Sequence, residues 1–128
     1  MMHVLSSRVL LRPTDFDRSI RFYEEQLGLA RYREWGEEPH RGVVFFLGGG
    51  FLELGESDDG EPVAGVRLWA QVDDIAAARD ELAAAGVDVR DEPERKPWGL
   101  VEMSIEDPDG LELVVIEVPD DHPLRRRH

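Results

Sequence analysis

A chain of 128 residues with 28 acidic and 15 basic side chains carries a net charge of −13, which repels the phosphates of a nucleic acid. Cysteine is absent, so disulfides, thiolate metal sites and a thiol nucleophile are excluded. A hydrophobic fraction of 41% supports a packed core, whereas no apolar run approaches membrane-spanning length and the first five residues are too short for a signal peptide. The expectation is one cytoplasmic domain with no membrane or nucleic-acid partner. The basic run Arg125-Arg126-Arg127 reads as a solvated terminus.

In chain order, a short strand at 8–12 precedes Thr14-Asp15, which are good helix N-caps. Phe16, Ile20, Tyr23 and Leu27 then recur at helical spacing, and Gly28 supplies a left-handed stop. The hairpin that follows runs from 43–47 through Gly48-Gly49-Gly50 into 51–54. Residues 57–62, rich in Asp and Gly, read as a linker.

The same grammar then repeats. A strand at 67–72 leads to Asp73-Asp74, a helix with Ile75, Ala78, Leu82 and Ala85 on one face, and Gly86 as its stop. A hairpin joins 101–105 to 111–118 through Asp107-Pro108-Asp109-Gly110, whose residues suit a tight turn. The order is βαβββ twice, over 6–56 and 63–118, with 119–128 as a C-terminal extension. The third strand of each unit is the weakest in sequence. The fold class is α+β, a cupped mixed sheet built from paired βαβββ modules.

Strand alternation sorts the side chains into two faces. Val9, Leu11, Leu68, Ala70, Met103, Ile105, Leu113 and Val115 suit the face covered by helices. The opposite face of the first module receives Arg8, Leu10 and Arg12 from one strand, and Phe51 and Glu53 from another. That of the second receives Arg67, Trp69 and Gln71, then Glu102 and Ser104, then Glu112 and Val114. Mixed aromatic, Arg and carboxylate side chains read as a cavity lining. Phe46 extends an aromatic platform for a flat ligand, Trp98 in its Pro-Trp-Gly turn caps the mouth, and Trp35 in a polar stretch is a candidate lid.

The run from Arg12 to Gly28, with its Asp-Arg-Ser-Ile-Arg-Phe-Tyr centre, together with the hairpin at 107–110, resembles the two signatures of the glyoxalase/bleomycin-resistance/extradiol-dioxygenase (vicinal oxygen chelate) superfamily. The resemblance spans roughly residues 8 to 118. It implies a homodimer whose cavities combine modules of both chains, and in the family's enzymes a divalent metal held from four strand positions. By register those positions are Arg8, Glu53, Arg67 and Val114, of which Glu53 alone has a ligating side chain. The expectation is therefore no metal, no cofactor and no catalytic residue, and a place nearest the metal-free drug-binding branch. On this reading the chain sequesters an aromatic natural product or antibiotic. An enzyme of the same superfamily, acting on a carbonyl-bearing or aromatic substrate, is the alternative. Arg8 and Arg67 either anchor the ligand or pair with Glu53 and Glu112.

Overall fold

The computed structural model describes residues 1–124; the run Arg125-Arg126-Arg127 lies outside them. Two compact units emerge, Met1–Ala64 and a second from Gly65 onward. Each is a four-stranded mixed sheet, so the α+β class of paired βαβββ modules holds.

In the first unit, β1 (Arg8–Leu11), α1 (Phe16–Ile20), β2 (Arg31–Trp35), β3 (Gly42–Leu47) and β4 (Gly50–Gly55) give the sheet order β1-β4-β3-β2. The β1–β4 pair is parallel and the others are antiparallel. In the second, β5 (Arg67–Val72), α2 (Ile75–Ala84), β6 (Glu94–Arg95), β7 (Val101–Glu106) and β8 (Glu112–Glu117) give β5-β8-β7-β6 with the same sense of pairing. The helix is the crossover that a parallel pair requires.

The helix starts follow the expected chemistry. Asp15 and Asp74 accept hydrogen bonds from the backbone N–H groups of Arg18 and Ala77, at 3.1 and 3.0 Å, in each case the third residue on. Gly28 and Gly86 both take positive φ, 77° and 84°, where a side chain is disfavoured. The true caps reveal an asymmetry: thirteen residues separate Asp15 from Gly28 (28 − 15), but twelve separate Asp74 from Gly86 (86 − 74). The first helix absorbs the extra residue by widening into a π-helical segment, Arg21–Gln26, in which Leu27 N–H reaches back to Phe22 O at 2.9 Å. Neighbouring Phe22 and Tyr23 are thereby both buried, edge to face with centroids 5.0 Å apart. Phe22 is absent from the apolar face expected of the first helix, while Ala85, expected on that of the second, is exposed at the C-cap of α2.

A second correction concerns the weak strand. It is the second of each unit, β2 or β6, and not the third. Every residue of both is exposed, so no alternation marks them. The hairpin at 107–110 forms as expected, with Asp107 Oδ1 accepting from Asp109 N–H and Leu111 N–H, both at 2.9 Å.

The helix-side core of the first unit is Phe22, Tyr23, Val43, Phe45, Leu52 and Leu54, and that of the second is Leu68, Ile75, Leu82, Met103, Ile105 and Leu113. At the edge of the first core Arg41 lies over the Phe16 ring at 4.8 Å and bonds Asp17 at 3.0 Å and Glu56 at 2.8 Å. Those Arg41 hydrogen bonds depress the Glu56 carboxyl from its ordinary 4.5 to about 2. A carboxylate depressed on folding contributes stability above its unfolded pKa, and the contribution is lost as pH falls through the folded value. Urea denaturation at stepped pH should therefore show part of the acid weakening between 4.5 and about 2 disappear in Glu56→Gln. An unchanged slope in that variant would contradict the pairing.

Candidate functional site

The helix-free face of the first sheet is set by register. Arg8 lies opposite Phe51 and Leu10 opposite Glu53, while from β3 Phe46 faces Phe51 and Val44 faces Glu53. Residues directly opposite point to the same side, so these six share one surface. Phe46 and Phe51 stand 5.7 Å apart. A third ring, Tyr32 of β2, joins them at 5.1 and 4.9 Å. Tyr32 escaped the sequence reading because its strand did; the one signal was an aromatic residue alternating with charged neighbours in Arg31-Tyr-Arg-Glu-Trp35. Arg8 spans the patch, donating to Glu53 at 3.0 Å with its guanidinium 5.9 Å from the Phe51 centroid.

Arg12 does not join this surface. It follows the end of β1 and points to the linker, 3.8 Å from Asp59. The linker itself is held just past the end of β1, with Glu61 N–H bonded to Arg12 O at 3.0 Å. Trp35 is in β2 and is not a lid: its indole rests on Gly42, where a Cβ would fall 2.3 Å from the ring. A wider groove of about 470 Å³ beside it is floored by Phe16, Ile20 and Val43, and its charges are already matched, Arg41 to Asp17 and Glu56, Arg31 to Glu24 and Glu34.

The second sheet carries a pocket of about 360 Å³ on its helix-free face. Register again places the lining: Trp69 opposite Val114, Ser104 opposite Val114, Arg67 opposite Glu112. Val114 and Ile116 form an apolar floor that continues into Leu100 and Val118. Above it stand Trp69 and Trp98, 53% and 59% exposed, which is unusual for residues of this size in a folded interior or on its rim. Trp98 is held by its ring, Nε1 donating to Glu102 Oε2 at 2.5 Å. Lys96 and Arg67 bring positive charge to the same pocket, and Asp91 and Glu102 bring negative charge to it. Arg67 lies 3.6 Å from Glu112 with 70% of its side chain exposed, a much looser pairing than that of Arg8. Of the expected lining of this unit, Gln71 is exposed in register with Ile116, and Glu112 enters only as the partner of Arg67.

A divalent metal does not fit the four positions that the resemblance assigned to it. Arg8 occupies one and is bonded to Glu53 at the second; Arg67 and apolar Val114 hold the other two. A guanidinium has no lone pair to offer and repels a cation. Among the described residues no group of three or more His, Cys, Asp or Glu side chains is arranged to hold an ion. No helix among them is long and apolar enough to cross a membrane.

This fold, paired βαβββ modules with polar and aromatic groups on the open face of each sheet, is that of the vicinal-oxygen-chelate class. The chain belongs to the Glyoxalase/Bleomycin resistance protein/Dioxygenase superfamily, whose family model matches residues 3–115. Among curated relatives it is 31% identical to the lactoylglutathione lyase of Haemophilus influenzae, over 84% of this chain and 88% of that one. Among solved structures it is similar to TnmS3, an antibiotic binding protein from Streptomyces sp. CB03234, with a TM-score of 0.74 and 24% identity over 93% of this chain and 99% of the other. A superfamily member from Sphaerobacter thermophilus matches with a TM-score of 0.73 and 22% identity, over 91% of this chain and 99% of that one. At these identities the two structures speak for the fold alone.

Proposed function

We propose that this chain binds a small, flat aromatic compound, an antibiotic or natural product, on the open face of its second module, without a metal and without changing it. The observation that carries the reading is the pair of half-exposed indoles, Trp69 and Trp98, over the Val114 floor in one pocket. Stacking against an indole with apolar burial favours a polycyclic ligand. The loosely held Arg67 and nearby Lys96 favour one bearing a carbonyl or acidic oxygen. The overall charge of −13 works against a strongly anionic ligand at long range, so one such group is enough. The exposed Leu10 and the Tyr32–Phe46–Phe51 patch support assembly as a homodimer, which light scattering tests; a monomer mass at micromolar concentration would contradict it.

An enzyme of the superfamily, with or without a metal, acting on a carbonyl-bearing or aromatic substrate is the second reading, and what favours it is the name of the curated relative, a lactoylglutathione lyase. One experiment separates the two. Protein purified without chelator is screened by tryptophan quenching against aromatic antibiotics, with elemental analysis beforehand and mass analysis of the recovered ligand. Sequestration expects quenching, no stoichiometric divalent metal and an unmodified ligand. Turnover beyond one equivalent per site, or one bound metal per chain that Glu53→Ala removes, would sink it.

A further inference from the structure

The residues beyond β8 return to the pocket. After Pro119 the chain turns, with His122 N–H donating to Pro119 O at 3.0 Å, and the imidazole comes to rest on the 96–100 turn that carries Trp98. Nε2 lies 3.2 Å from Trp98 O, and on the other side of the ring Leu124 N–H donates to Nδ1 at 3.2 Å. Gly99 leaves room for the imidazole, since a Cβ there would come within 3.0 Å of His122 Cδ2. The turn closes through its own bonds, Lys96 N–H to Leu100 O and Gly99 N–H to Lys96 O, both at 2.8 Å. His122 is therefore not needed to make the turn. What it adds is a hold on the Trp98 main chain, complementing the hold of Glu102 on the Trp98 ring.

We propose that His122 is the positioning residue for the Trp98 wall of the pocket. One tautomer satisfies both contacts: Nε2–H donates to the Trp98 carbonyl while the Nδ1 lone pair accepts from Leu124. The consequence for ligand binding rests on the function proposed above, whereas the consequence for Trp98 does not.

The test reads both. In ¹⁵N-labelled protein the Trp98 indole N–H resonance, assigned through Trp98→Phe, should shift in His122→Ala, because the main chain that aims the ring loses its donor. His122→Gln, whose amide N–H replaces the Nε2 donor, should return it to the wild-type position. Quenching by naphthoate should weaken about fivefold in His122→Ala, the size of one lost hydrogen bond, and recover in His122→Gln. An indole resonance unmoved in His122→Ala, or one that His122→Gln leaves displaced, overturns the proposal. Absence of naphthoate binding in the wild type counts against the proposed function, and the indole resonance then decides the role of His122 alone.

Discussion

Replacing Trp69 by alanine is expected to weaken binding of a flat aromatic ligand by about 1–3 kcal/mol, roughly five- to 150-fold. Trp69 projects from β5 beside Val114, and half of its surface is exposed in the pocket. The indole therefore contributes contact area to a ligand at little cost to the fold, and the melting temperature should change little. Trp69→Phe keeps a π-face and should recover most of the loss. Quenching titrations cannot use Trp69 itself in these variants, but Trp98 lines the same pocket and reports in its place. Undiminished affinity in Trp69→Ala would remove the pocket from the binding reading.

Phe45→Ala is expected to cost about 3–5 kcal/mol of stability, the largest effect of a single change anticipated for this chain. The ring is fully buried on the helix side of β3, 6.4 Å from Tyr23 and in register with Leu52. Its deletion leaves a cavity that the rigid sheet cannot close. The neighbouring Phe46, one residue on, points to the other face and is 44% exposed, so Phe46→Ala should cost about 1 kcal/mol or less by comparison. Urea denaturation of the two variants measures the difference. Equal losses would mean that the faces of the first sheet are assigned wrongly.

That two adjacent phenylalanines serve opposite faces follows from the period of a strand, and such local rules made much of the fold legible without coordinates. Asp15 and Asp74 cap helices because a carboxylate one turn ahead satisfies free N–H groups. Gly28 and Gly86 end them because the backbone turns left-handed there. The Asp107 turn is built by a side chain bonding its own next residues. Each signal acts within a few positions. The alternation that separated Arg8, Leu10, Phe51 and Glu53 from the core is equally local, which is why the composition of the open faces was readable.

What escaped depends on partners distant in the chain. Strands β2 and β6 exist because a neighbouring strand offers them hydrogen bonds, and their own side chains, solvated on both sides, record no period; Tyr32 was lost with them. Sequence left Arg8 and Arg67 with the same two options. Their positions in the fold separated them: Arg8, opposite Phe51, reaches diagonally to Glu53 and is fixed, while Arg67 faces its carboxylate directly across the strand pair with most of its side chain in solvent and stays loose. The contact between His122 and Trp98 joins residues 24 positions apart through a main-chain carbonyl, an acceptor that every residue possesses and no motif can mark. Propensity, capping and alternation are properties of neighbours in the chain, and so they are written in it. Which side chain meets which across a sheet or a turn is settled by three-dimensional closure, where the energy of a contact depends on a partner that the local sequence does not contain.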